Sequence, residues 1–202
     1  MLFDRLNSFL NSKANELPDF FRDEWIAPEW RFGQVAVTEP DDTMETRLGF
    51  YSWMENVLDP GSTEYRIRFP SNSAGPDIIF VLCNKTKTKV LPVFAQVKFD
   101  LTADVNDAFR TVDPDLFHRD RGTTPPAISE KLVKTHSRVL EKLKFPVVRI
   151  VLSHRRTHSM EKLRLIPFSR GGRTDKDLCL LFDMRDNEWL FGRDFTQFVN
   201  QF

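Results

Sequence analysis

Two apolar runs separated by a short polar link dominate this 202-residue chain. The first follows Ala74-Gly-Pro-Asp77 and reads Ile78-Ile-Phe-Val-Leu82. The second is Val93-Phe-Ala-Gln96-Val-Lys98-Phe99. The link Cys83-Asn-Lys-Thr-Lys-Thr-Lys89 is polar and predicts the turn of a β-hairpin. Side chains on a strand alternate, so Gln96 and Lys98 share one face while Ala95, Val97 and Phe99 share the other. A carboxylate, an amide and an ammonium are thereby expected at one edge of a sheet. Polar groups flanked by apolar residues are costly to bury unless they pair or hold an ion.

The chemistry of such a cluster is specific. Mg²⁺, or Mn²⁺ in its place, takes hard oxygen ligands and keeps several waters. Asp77 offers a carboxylate, Gln96 a neutral carbonyl oxygen, and Val97 its backbone carbonyl. Lys98 is placed to orient or deprotonate an attacking water, or to steady a phosphate. That set suits phosphodiester hydrolysis. A plain amphipathic hairpin with an Asp–Lys salt bridge accounts for the same spacing equally well.

Pro76-Asp77, then eighteen residues, then Gln96-Val97-Lys98 resembles the PD-(D/E)XK nuclease superfamily, with its restriction-endonuclease-like fold. The family places Asp or Glu where this chain has Gln96, and Gln-x-Lys forms occur within it. The resemblance implies Asp77, Gln96 and Lys98 as catalytic residues, a Mg²⁺ or Mn²⁺ cofactor, and DNA as substrate. It also implies an acid from the helix before the first core strand. Glu45 has that placement near a helix start, and its charge would offset the one that Gln96 lacks. Glu55, between Tyr51 and Leu58, is the runner-up. A helix-dipole partner is the structural alternative for Glu45. The chain is also similar to nuclease-like domains of Crinkler-type effector and mobile-element proteins, which implies a nuclear destination.

Composition sets the frame. Hydrophobic residues make up 41% of the chain, enough for the core of one domain. No apolar run is long enough to cross a membrane, and Met1-Leu-Phe-Asp-Arg5 has no signal-peptide pattern. An intracellular protein is expected, with Cys83 and Cys179 as buried free thiols. His154 and His158 make no zinc pattern with those cysteines. The net charge is zero but uneven: residues 1–64 carry 13 acidic and 5 basic side chains, residues 131–173 carry 12 basic and 2 acidic. Such asymmetry points to a polyanion partner, or to the acidic part covering the basic one.

The reading along the chain is a single α/β domain, a mixed β-sheet flanked by helices. Residues 1–42 form an N-terminal helical extension, 43–153 a nuclease-like core, and 154–202 C-terminal strands and a helix. Leu2, Phe3, Leu6, Phe9 and Leu10 recur at helical spacing, and Trp25, Trp30 and Phe32 are expected to anchor an irregular segment. A helix is expected over Asp41–Leu58, a strand over Glu64–Phe69 and a short helix over Asp100–Arg110. A loop follows over 112–127. Ile128–Lys144 is the clearest helix: Ile128, Leu132, His136, Val139 and Leu143 line one face, and Lys131, Lys134, Arg138 and Lys142 the other. That basic stripe can run along phosphates or simply face solvent. His136 reads as a core-edge histidine. Val147–Leu152 reads as a buried strand. Ser153-His154-Arg155-Arg156-Thr-His158 is the richest candidate for a phosphate-contacting loop. Strands are expected at Leu163–Phe168, Leu178–Asp183 and Glu188–Phe191, with an amphipathic helix over Phe195–Phe202.

Three functions fit: a metal-dependent DNA endonuclease, a degenerate nuclease fold that only binds nucleic acid, and a protein-interaction domain. The sequence specifies no oligomeric state.

Overall fold

The two apolar runs form the hairpin on which the rest of the chain is laid. In the computed structural model, described over residues 2–13, 15–26, 47–59, 67–70, 75–99, 104–117, 126–154 and 163–183, the elements follow in this order. Helix α1 (Leu2–Ser12) and a 3₁₀ turn (Asp19–Arg22) lead to the short strand β1 (Trp25–Ile26). Next come α2 (Arg47–Val57), β2 (Ile78–Asn84), β3 (Val90–Lys98), α3 (Val105–Thr111) and a second 3₁₀ turn (Pro114–Leu116). Helix α4 (Pro126–Lys142), β4 (Val148–Ser153), β5 (Leu163–Arg170) and β6 (Arg173–Asp183) complete the described chain.

The strands make one six-stranded mixed sheet in the order β1-β2-β3-β4-β6-β5. β2 and β3 are antiparallel, with Ile78 opposite Ala95 and Cys83 opposite Val90. β3, β4 and β6 run parallel, so Lys98, Ser153 and Asp183 lie in one row at their carboxyl ends. β5 returns antiparallel on β6.

Alternation divides the apolar side chains between two cores. Phe80, Leu82, Val93, Ala95, Ile150, Leu152, Leu180 and Phe182 meet Leu6, Leu10, Leu17, Phe21 and Trp25 on one face. Ile79, Val81, Phe94, Val151, Cys179 and Leu181 meet α2, α3 and α4 on the other. The N-terminal segment is thus part of the sheet and of its cover, and Trp25 is buried as the expected anchor. Ion pairs from Glu24 to Lys85 (2.8 Å) and Asp23 to Lys89 (2.7 Å) fasten it to the hairpin turn.

Several boundaries differ from expectation, each for a local reason. α3 begins at Val105, where the Asp104 carboxylate accepts from Asn106 N at 2.8 Å and caps the first turn. α4 starts at Pro126, since proline suits the first helical turn. β6 begins at Arg173, five residues before Leu178, because Gly171 and Gly172 (φ +51 and +71) close a tight turn and bring polar residues into the β5 ladder. Of the strand expected at 64–69, the described part makes one isolated antiparallel bridge, Arg68 with Ile79. The strand at 188–191 and the closing helix at 195–202 lie outside the described residues.

Cys83 and Cys179 are buried free thiols, and burial pushes the Cys179 thiol up to about 12. No helix among the described residues is long and apolar enough to cross a membrane.

Candidate active site

Asp77 immediately precedes β2, and Gln96 lies near the end of β3, so the hairpin register brings them side by side. The Asp77 backbone N–H donates to Ala95 O at 3.0 Å, which continues the ladder by one residue. The Asp77 carboxylate then turns toward β3. Its Oδ2 accepts from the Val97 backbone N–H at 2.8 Å and from the Gln96 side-chain Nε2. Oδ1 accepts no hydrogen bond among the described residues.

The Gln96 carbonyl oxygen points the other way, to the Thr111 hydroxyl at 2.6 Å. Thr111 is the last residue of α3, and its hydroxyl also lies 2.7 Å from Ala108 O. A carboxylate attracts an N–H and repels a carbonyl, so Asp77 fixes the orientation of the amide. Gln96 therefore meets Asp77 through its N–H, with its oxygen engaged elsewhere.

Gly75 makes this approach sterically possible. It has φ +120, and a Cβ there would lie 2.9 Å from both Thr111 O and the Phe117 ring. No larger residue fits without movement. Gly75 thus gives room for the end of α3. Phe117 in turn packs against Phe94 (5.3 Å between ring centroids) and Phe50 (5.8 Å). Asp77, Gln96 and Thr111 are thus set on packed elements.

Lys98 lies two residues beyond Gln96 and is half-buried, and its side chain has no ion-pair partner among the described residues. The Asp77–Lys98 salt bridge of the plain hairpin does not occur. Lys98 O accepts from His154 N at 2.9 Å, which ties the end of β3 to the residue after β4. Carboxyl ends of parallel strands are a common place for ligand sites in open α/β sheets.

The remaining candidates are dispersed. Glu45, Arg155 and Arg156 lie outside the described residues. Glu55 faces α4, 3.7 Å from the Arg138 Nε. Lys131 is exposed, and Lys134 is exposed and paired with Glu130 at 2.9 Å. Arg138 is thus turned partly toward α2, as is Lys142, which donates to Glu55 O and Asp59. His154 is only 5% exposed, so its place at the end of β4 takes it out of the solvent-facing loop expected from the donor-rich sequence. His136 is a core histidine, with Nε2 2.7 Å from Pro114 O and its ring 5.1 Å from that of Tyr51.

Sequence reasoning passed over a second polar cluster. Arg149 and Arg170, both almost fully buried, converge on Asp177, which is fully buried. Asp177 also accepts from Val147 N at 3.0 Å, Arg149 reaches Asp113 at 2.9 Å, and Arg170 donates to Leu143 O at 3.1 Å. Burial alone would lower the Arg149 pKa, but the Asp177 and Asp113 carboxylates outweigh it and raise it. Burial raises the half-buried Asp115 carboxyl, partly offset by Arg170. The available signal was a single Arg inside the apolar run Val147–Leu152.

Comparison with known proteins finds no match to a protein-family model, a curated protein or a solved structure.

Proposed function

We propose that this chain is a metal-dependent nuclease that hydrolyses phosphodiester bonds in DNA, with Asp77, Gln96 and Lys98 at its centre. The observation that carries the reading is the meeting of Asp77 with Gln96 and the Val97 N–H, two residues before a half-buried Lys98 without an ion-pair partner among the described residues. The PD-(D/E)XK resemblance implies the order helix, strand, hairpin, helix, strand; the described residues give a helix, one isolated bridge at Arg68, the hairpin, two helices and a parallel strand, and this partial agreement supports the reading.

The donor set fits a small hard cation. One carboxylate oxygen accepts no hydrogen bond among the described residues, and a neutral amide oxygen lies close by; Mg²⁺ is usually held by one or two carboxylates and retained waters. Asp77 would hold it, with Gln96, the Val97 carbonyl and Glu45 as the further candidates. Such a cation supplies Lewis acidity and a more acidic bound water. The chain's own residues do the rest. The Val97 N–H fixes the Asp77 carboxylate. Lys98 carries a positive charge to the rim of the sheet, where it can steady a phosphate or take part in proton transfer from water. Phe69 and Phe99, two of the exposed large hydrophobic residues, adjoin Arg68 and Lys98 in sequence, which suits contact with nucleotides.

Plasmid and single-stranded DNA are incubated with protein and Mg²⁺, Mn²⁺ or EDTA. Cleavage is expected with either metal and none with EDTA. Asp77→Ala should lose cleavage while its circular dichroism stays unchanged, and Lys98→Ala should lose cleavage much more than binding. Unchanged cleavage by folded Asp77→Ala overturns the site.

A nucleic-acid-binding domain without cleavage is the second reading. One observation favours it: Gln96 is hydrogen-bonded at both its nitrogen and its oxygen without a cation. DNA binding by the wild type, with no cleavage in any metal, would establish it.

A further inference from the structure

Gln96 is placed to serve Asp77 in two opposite ways, and Thr111 is the residue that allows both. The side-chain amide now donates its N–H to Asp77 and accepts from Thr111 through its oxygen at 2.6 Å. A cation held by Asp77 needs the oxygen on the Asp77 side. Exchanging the two ends of the amide takes a half-turn about its last torsion, which is broad and needs no backbone movement.

The usual obstacle is what the half-turn leaves behind. Gln96 is only 5% exposed, so an orphaned N–H or carbonyl there is costly. Thr111 removes that obstacle. Its hydroxyl has one proton and can also accept. Two acceptors lie within its reach, Gln96 Oε1 at 2.6 Å and Ala108 O at 2.7 Å. When the amide turns, the hydroxyl proton goes wholly to Ala108 O, and the hydroxyl oxygen accepts from the Gln96 N–H. Each group keeps a partner. Asp77 keeps the Val97 N–H at 2.8 Å in both arrangements.

We infer that Thr111 is a positioning residue that lets the Gln96 amide turn over, as a donor to Asp77 without a cation and as a carbonyl ligand beside it with one. The inference rests on the metal-dependent reading above. It gives a reason for an amide at this position. A carboxylate at 96 would set two negative oxygens against each other whenever the cation is absent, whereas an amide holds Asp77 in place until the cation arrives.

The test needs no catalysis. Mg²⁺ is titrated into the full chain, with affinity read by calorimetry and the Gln96 side-chain NH₂ signals, assigned by loss in Gln96→Glu, read by NMR. The signals of wild type should shift as Mg²⁺ saturates, and should not respond in Asp77→Ala. Thr111→Ser keeps the hydroxyl and should bind Mg²⁺ within about twofold of wild type. Thr111→Val removes the partner that Gln96 has in both arrangements, so it should lower the melting temperature both without Mg²⁺ and at saturating Mg²⁺, while the losses largely offset in the affinity. Gln96 signals that stay fixed at saturating Mg²⁺ overturn the turn-over and leave the metal site standing. A Thr111→Val protein that melts with wild type, without Mg²⁺ and with it, overturns the positioning role of Thr111 and leaves the metal site standing. Absence of any Mg²⁺ binding by wild type, against a buffer control, removes the metal-dependent reading and this inference with it.

Discussion

Arg149 is the second residue of a six-residue strand in which every residue is buried. A charge in that position persists only because Asp177 and Asp113 meet it. Removing Asp177 leaves two buried cations, Arg149 and Arg170, short of their shared carboxylate, whereas removing Arg149 leaves Asp177 paired with Arg170. Asp177→Leu is therefore expected to lower the unfolding free energy by about 3–5 kcal/mol, and Arg149→Met by less. Arg149→Met with Asp177→Leu should cost less than the sum of the single changes. Urea denaturation of wild type, the two single variants and the double variant measures the coupling. Cys179, opposite Arg149 on β6, gives a pH prediction. Its thiol is held near 12 in the folded protein against an ordinary 9.0. A raised folded value means that its contribution is complete below pH 9 and is lost as pH rises toward 12, because the unfolded chain gives up the proton first. Stability should fall over that range, and Cys179→Ala should flatten the slope relative to wild type. An identical slope in both would assign the fall to other groups.

Helix α4 combines two roles that its sequence pattern did not separate. The stripe Lys131, Lys134, Arg138 and Lys142 looks uniform in sequence. In the fold, Lys142 binds Glu55 O and Asp59, and Arg138 approaches Glu55, so the C-terminal half of the stripe holds α2. Lys131 and Lys134 remain at the surface. If each of these two lysines meets a phosphate, log affinity falls with log salt by about 0.9 for each. The pair Lys131→Ala with Lys134→Ala should make that slope shallower by the same amount per lysine, with thermal stability unchanged. Lys142→Ala should lower Tm and leave the slope alone. A salt titration of DNA binding with a melting curve for each variant decides. The apolar face of α4 was legible, since Leu132, His136, Val139 and Leu143 repeat at helical spacing and all are buried. The division of its basic face was not, because it depends on α2, and Glu55 stands 87 residues before Lys142. The same limit applies to the site. Asp77, Gln96 and Lys98 stood out as polar groups at the ends of apolar runs, but the direction of the Gln96 amide depends on Thr111 and Gly75, which local pattern does not connect. At Ser153–His158 the density of donors suggested a surface loop, and burial of His154 against the β3 end could not be read from it.

At the scale of the molecule, the described acidic groups of the first part of the chain meet both the sheet and the basic half, the latter through Glu55 with Arg138 and Asp59 with Lys142. Asp23 and Glu24 pair with Lys89 and Lys85 of the hairpin turn, and Trp25 adds a strand and a buried indole. Trp25→Ala is expected to destabilise the protein by about 3–5 kcal/mol, as for other large-to-small changes in a core. Intrinsic fluorescence during urea unfolding reports it, and a loss below about 1 kcal/mol would show that Trp25 does not anchor this segment. The α/β class and most strands followed from apolar runs and turns. The strand order β3-β4-β6-β5 did not, since only long-range pairing fixes it. That order has a consequence for synthesis. β4 leaves the ribosome with Arg149 already inside its apolar run, while Asp177, its fully buried carboxylate, is 28 residues behind. Until β6 emerges, the growing chain has an open parallel edge, a cation short of its buried partner and two half-built cores. The nascent protein must therefore wait, and chaperones that shield apolar edges have their window between the emergence of β4 and that of β6.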